Sequence, residues 1–142
     1  PFQMLVACGN NKKMQMHVEK FAARYNGNCV IRPYGFVHNV EVMMSASDCI
    51  ISKPGGLTVS EALAKNLPML LADPIPGHEE RNVDFLVNNG MAALITKHFP
   101  VDEAVYELFT NPVRLETVRH TMKAVAHPDA TERLADFVLA LK

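Results

Sequence analysis

The sequence predicts an α/β fold: a Rossmann-like, doubly wound parallel sheet followed by a helical C-terminal tail. Two patterns predict it. Short, almost wholly apolar runs alternate with segments of helical period up to Ile95, as parallel strands buried on both faces require. After Pro100 the apolar residues recur at helical spacing only.

Each element follows in order. Gln3–Cys8 is the first strand, and Met14, Val18, Phe21, Ala22 and Tyr25 recur with helical period until Asn26-Gly27 supplies a stop. Cys29–Arg32 is the second strand, followed by a turn at Pro33-Tyr34-Gly35-Phe36 and a short helix from Asn39 carrying Val40, Met43 and Met44. Asp48–Ser52 leads through Lys53-Pro54-Gly55-Gly56 into a helix that buries Val59, Ala62, Leu63 and Leu67, with Pro68 closing it. Met69–Ala72 is the fourth strand. A long loop, Asp73-Pro74-Ile75-Pro76-Gly77-His78, then precedes a helix with Val83, Leu86 and Val87 that ends at Gly90. Met91–Ile95 is the fifth strand. The tail reads as three helices: Val101, Val105, Leu108 and Phe109; Leu115, Val118, Met122 and Val125; Leu134, Phe137, Val138 and Leu141. They pack on the sheet or reach toward something outside the chain.

Composition bounds the function. A chain of 142 residues, 49% hydrophobic and 20% charged, is one globular domain's worth, residues 1–142, with one core. Fourteen Lys+Arg against fifteen Asp+Glu leave no basic surplus for a phosphate backbone, so nucleic acid is not the expected partner. No apolar run reaches the roughly 18 residues of a membrane span, and no signal peptide is apparent. Cys8, Cys29 and Cys49 each lie in or beside an apolar run and read as small buried hydrophobes of a reducing, cytoplasmic compartment. The histidines and cysteines show neither H-x-x-x-H nor C-x-x-C spacing, so no metal is expected. Pro1 stands where an initiating Met is absent, which suggests a piece of a longer protein.

In an open parallel sheet, ligands sit beyond the carboxyl ends of the strands, so the loops leaving each strand carry the chemistry. Ser52-Lys53-Pro54-Gly55-Gly56-Leu57-Thr58 joins a strand to a helix through paired glycines. Backbone N–H groups there could meet an anion, a phosphate being the natural guest, or Gly-Gly could merely make a tight turn. No G-x-G-x-x-G or G-x-x-x-x-G-K-[ST] is present, which removes ordinary dinucleotide and Walker sites. Thr58-x-x-Glu61 fits a capping box, which spacing alone favours; alternatively Glu61 accepts hydrogen bonds from a ribose diol. Phe36 either packs on a base or plugs the core edge. His78 and Glu79 either face a sugar or begin a solvated helix.

Taken together, Val6-Ala7-Cys8-Gly9-Asn10, Tyr34-Gly35-Phe36-Val37, the stretch from Ser52 through Gly55-Gly56-Leu57-Thr58 to Glu61-Ala62, and Pro74-Ile75-Pro76-Gly77-His78-Glu79 with Asn82 resemble glycosyltransferase family 28. Within that family the motifs look most like the processive diacylglycerol glucosyltransferases and monogalactosyldiacylglycerol synthases. The resemblance covers roughly residues 4–95. It implies the C-terminal half of a two-domain GT-B enzyme, lacking the half's first strand and glycine-rich loop, that binds a UDP-sugar. The partner would be an N-terminal acceptor domain of the same protein, which touches the cytoplasmic membrane face peripherally. Carried over residue by residue, uracil falls to Phe36 and Val37 and the diphosphate to Gly55, Gly56, Leu57 and Thr58. Glu61 takes the ribose, and His78 and Glu79 the sugar, with Asn82 supporting that helix start. The chain departs from relatives at His78, where they commonly carry Gln. The implied reaction is inverting transfer of a hexose from UDP to a diacylglycerol hydroxyl, with no cofactor beyond the donor and no catalytic base in this half. Two alternatives remain at this level: a UDP-N-acetylglucosamine 2-epimerase-like half, whose loop is typically acidic where this one has Lys53-Pro54, and a noncatalytic nucleotide-sugar-binding module.

Overall fold

The computed structural model describes residues 2–141. The chain divides into two compact units, residues 1–43 and 44–142.

In the first unit, β1 (Phe2–Ala7) and β2 (Cys29–Tyr34) pair in parallel, from Phe2 opposite Cys29 to Ala7 opposite Tyr34. Between them runs α1 (Lys12–Arg24). Asn11 caps it, its side chain accepting from the Met14 N–H at 3.0 Å, which satisfies one of the donors left open at a helix start. The expected turn at Pro33-Tyr34 is corrected. Both residues continue β2, and the chain bends only from Gly35. Pro33 is tolerated because β2 has one neighbour in its sheet and so presents an edge. The helix α2 (Val40–Ser45) runs from the end of this unit into the second.

The second unit holds the sheet β3-β4-β5, all parallel: β3 (Ile50–Ser52), β4 (Met69–Leu71) and β5 (Ala92–Leu94). Asp48 and Cys49, expected within the third strand, precede it. β4 is central, and all three of its residues are buried. Met69 and Leu71 join one core cluster with Val59, Ala62, Leu86, Met91, Val118 and Met122. Leu70, pointing the other way, joins Ala104 and Leu108. Alternation along one strand thus fills two cores, one on each face, which is why the sequence shows a continuous apolar run.

The helices that cover those faces are α3 (Gly56–Ala64), α4 (Glu80–Asn88), α5 (Val101–Thr110) and α6 (Pro112–Val125). Asn111 caps α6 through its side chain and Pro112 opens it, a pairing suited to a helix start. The last helix, α7 (Ala130–Ala140), has the expected apolar period but no buried residue. Of the tail, α5 and α6 contribute buried residues to the two cores.

Candidate functional site

β3 and β4 are neighbours in register, with Ser52 opposite Leu71, so the loops leaving their carboxyl ends emerge side by side. The β3–α3 loop carries Lys53, Pro54 and Gly55; the β4–α4 loop runs from Ala72 to Glu79. Two contacts lash them together. Asn82, in the first turn of α4, donates from Nδ2 to the Pro54 carbonyl at 2.7 Å, and Pro54 is fully buried. Lys53 Nζ lies 3.2 Å from Asp73 Oδ2 across the loops. Glu79 flanks them: its Oε1 would stand 3.5 Å from a methyl group placed on Gly55, while its Oε2 accepts from the Ile75 N–H of its own loop at 2.7 Å. The Glu79 N–H returns a bond to the Ile75 carbonyl at 3.0 Å, closing the loop on itself.

These lashings hold an open helix start. Gly55 is the N-cap of α3, and no side chain caps it. The first helical hydrogen bond is Val59 N–H to Gly55 C=O at 2.9 Å, so the N–H groups of Gly56, Leu57 and Thr58 precede it and stay available. Neither Gly55 nor Gly56 has a left-handed backbone: Gly55 lies at φ −65°, and a methyl group on Gly56 would meet nothing within 4 Å. The tight-turn explanation of Gly-Gly therefore fails on two counts, because the turn needs no glycine conformation and the space needs no missing side chain. What the glycines supply is uncovered backbone at the positive end of a helix dipole. Leu57 is 84% exposed beside it, an unusual cost for a large apolar residue.

The capping box is corrected. Thr58 is the third residue inside α3 and not its N-cap, since Gly55 starts the helix three residues earlier. Glu61 is exposed one turn beyond Thr58, on the same face, and its carboxylate has no bonding partner among the described residues. It is thus not held by the helix start. Asn82 also differs from the expectation: its amide braces the neighbouring loop, not its own helix start. His78 is exposed, its N–H 3.3 Å from the Ile75 carbonyl. Phe36 and Val37 belong to the first unit; Phe36 is 59% exposed and its ring meets His38 edge-on, centroids 4.8 Å apart.

Sequence reasoning missed the Lys53–Asp73 pair and the Asn82–Pro54 brace. Neither leaves a signal within its own segment of sequence. Asp73 adopts φ +47°, a conformation that Asp tolerates better than most residues, and it stands just after a strand. Among the described residues no group of His, Cys, Asp or Glu could hold a metal ion. The chemistry open to the site is that of fixed dipoles: N–H donors for an anion, and a free carboxylate for hydroxyls.

Comparison with known proteins shows the family and the fold. A model of the glycosyltransferase family 28 C-terminal domain matches residues 1–134. The processive diacylglycerol β-glucosyltransferase of Bacillus licheniformis is 29% identical over 130 residues, covering 92% of this chain and 33% of the relative. That of Bacillus pumilus is 30% identical over 123 residues, covering 87% and 32%. The chain thus spans about a third of the length of the curated relatives it matches. Among solved structures, Acinetobacter baumannii MurG superposes with a TM-score of 0.77 at 24% identity, over 99% of this chain and 42% of that one. The glycosyltransferase VinC, solved in complex with DTDP, gives 0.56 at 14% identity, over 97% and 41%. These likenesses show the fold of a GT-B glycosyltransferase domain. With 134 of its 142 residues matched by the family model, the chain belongs to glycosyltransferase family 28, as a C-terminal domain.

Proposed function

We propose that the chain is the donor-binding half of an inverting glycosyltransferase that moves a hexose from UDP to a lipid hydroxyl such as that of diacylglycerol. The observation that carries this reading is the open start of α3: two glycines that the backbone does not require, three available N–H groups, and no capping side chain. Such a start suits a diphosphate. The resting diphosphate is bound there, and the charge it gains as the sugar–phosphate bond breaks falls on dipoles already oriented, which is how a preorganised site lowers a barrier. Glu61 takes the ribose hydroxyls, His78 and Glu79 the hexose, and Phe36 and Val37 the uracil. The relatives' printed names, processive diacylglycerol β-glucosyltransferases, support the acceptor class. The acceptor, the catalytic base and the peripheral contact with the cytoplasmic membrane face belong to the N-terminal domain of the whole protein. No helix among the described residues is long and apolar enough to cross a membrane. No cofactor takes part, and the chain by itself binds donor without transferring sugar.

The test is calorimetry on wild type and Glu61→Gln, each titrated with UDP and 2′-deoxy-UDP. Wild type binds UDP saturably and discriminates against the deoxy ligand. Hydrogen bonds to a charged partner contribute about 1.5–3 kcal/mol, so Glu61→Gln lowers UDP affinity by about one to two decades. The variant scarcely distinguishes the two ligands, and its melting temperature is unchanged because Glu61 braces nothing. Equal affinity of both proteins for UDP removes Glu61 from the ribose site.

A further inference from the structure

The hydrogen bond from Asn82 to Pro54 fixes more than the path of a loop. Pro54 and Gly55 share one trans peptide unit, whose carbonyl and N–H point in opposite directions. Asn82 Nδ2 holds the Pro54 carbonyl at 2.7 Å, so the Gly55 N–H is aimed away from α4. That N–H has no hydrogen-bond partner among the described residues, although Gly55 is half-buried and Pro54 beside it is fully buried. An unpaired backbone donor in such a place is unusual. At a helix start the N-cap N–H faces the side chain at the third helical position, which is why a Glu or Gln there can reach back to it. In α3 that position is Thr58, which makes no such bond. The Gly55 N–H therefore faces the same first turn as the N–H groups of Gly56, Leu57 and Thr58.

The direction of this peptide plane needs an external hold. The plane turns about ψ of Pro54 and φ of Gly55; the proline ring fixes φ but not ψ, and glycine accepts a wide range of φ. Glu79 does not supply the hold, since its Oε1 stands on the methyl side of Gly55, at 3.5 Å, and its Oε2 is bonded to Ile75. We propose that Asn82 is a positioning residue of the donor site: by holding the Pro54 carbonyl it presents the Gly55 N–H to the diphosphate as a fourth donor. This role presupposes the donor-binding reading of the α3 start and deepens it. Asn82 thereby serves the neighbouring helix and not its own, and it acts on the ligand through the backbone. It also joins the two halves of the donor site, because α4 follows directly on the loop that carries His78 and Glu79.

The experiment titrates the wild-type chain, Asn82→Ala and Leu86→Val with UDP and with uridine, which lacks the phosphates, well below their melting temperatures. Calorimetry reads UDP and NMR reads uridine. Leu86 lies on the same helix and is fully buried, so Leu86→Val is the control for destabilisation alone. Asn82→Ala lowers UDP affinity about tenfold, as the loss of one charge-assisted hydrogen bond does, and leaves uridine affinity unchanged; Leu86→Val changes neither. If Asn82→Ala changes UDP and uridine affinity equally, or Leu86→Val lowers UDP affinity as much, the bond is merely structural and the proposal is overturned. The wild type gives a reading that depends on no variant: UDP moves the Gly55 amide proton downfield and slows its exchange, and uridine does neither. A Gly55 amide indifferent to UDP overturns the proposal even where Asn82→Ala does not fold. Wild type that binds UDP with an indifferent Gly55 amide leaves the donor site standing without Asn82, whereas wild type that does not bind UDP removes both.

Discussion

Gly56→Ala makes two demands of opposite sign. Gly56 is the first residue of α3, its backbone lies outside the left-handed region, and a methyl group there would meet nothing within 4 Å. The fold therefore accepts alanine without strain. Replacing glycine at a compatible position narrows the unfolded ensemble and stabilises by about 0.4–1 kcal/mol. For a chain of this length that raises the melting temperature by about 1–5 °C. The same methyl group stands over the N–H groups of the helix start. A diphosphate drawn to Gly56 and Leu57 is pushed away from one or more charge-assisted bonds of about 1.5–3 kcal/mol each, so UDP affinity falls about tenfold or more. Calorimetric titration with UDP and a thermal melt on the same preparation read both quantities. Gly55→Ala is the companion, its methyl 3.5 Å from Glu79 Oε1 in ordinary contact. A Gly56→Ala protein that melts higher and binds UDP as wild type does would refute the argument that the glycines expose backbone to a ligand. One that melts lower would show that the backbone needed glycine after all.

Three other perturbations test the surrounding architecture. Asn82→Ala leaves the buried Pro54 carbonyl without its 2.7 Å donor and costs about 1–3 kcal/mol, while Asn82→Asp costs more because a carboxylate then faces a carbonyl. Had Asn82 served only the start of α4, Asp would be neutral or stabilising there, so the order of melting temperatures, wild type above Ala above Asp, decides the matter. Asp73→Gly relieves a left-handed backbone at φ +47° and gives up only a largely exposed ion pair worth about 0–1 kcal/mol, so urea unfolding shows stability unchanged or slightly raised. The Cys49 thiol is pushed up to about 12 by burial, with Asp48 adding to the effect. The unfolded chain then ionises first as pH climbs past about 9, so stability contributed by this group is intact below that pH and is lost between about 9 and 12. Wild type should lose stability over that window relative to Cys49→Ala, with chemical denaturation as the readout.

How much of this was legible in the sequence depends on where each interaction closes. The strands Met69–Leu71 and Ile50–Ser52 are legible because burial on both faces forces a continuous apolar run, and their parallel pairing follows from the helices between them. Pro33 misleads for a physical reason. It lacks an N–H and so reads as a turn, yet an edge strand needs no donor on its outer side. Thr58 and Glu61 mislead differently. Their spacing satisfies a capping box, but a glycine can begin a helix without any side chain, and Gly55 does so three residues earlier. The Asn82–Pro54 brace, side chain to backbone across 28 positions, leaves no local trace at all.

That last point separates two kinds of functional residue. The groups that touch an anion at the start of α3 are backbone donors, and strand–loop–helix order alone places them. Their usefulness depends on rigidity, because a dipole that must reorient as charge develops spends on its own reorganisation what it would contribute to the ligand. Rigidity here comes from a fully buried Pro54, from Asn82 holding its carbonyl, and from Glu79 closing its own loop through Ile75 while flanking Gly55. The Asn82 bond acts across the gap between two loops, so it is set by the register of β3 against β4 and by no motif within either loop, whereas the Glu79 bond closes within its own loop. Glu79 is the residue on which the two kinds meet. A carboxylate already committed to the Ile75 N–H at 2.7 Å has one oxygen left for a hexose hydroxyl. Any sugar contact it makes is therefore positioned by the same bond that fixes the loop, and substitutions at Glu79 disturb the scaffold and the sugar site together, whereas substitutions at the unbonded Glu61 disturb the ligand alone.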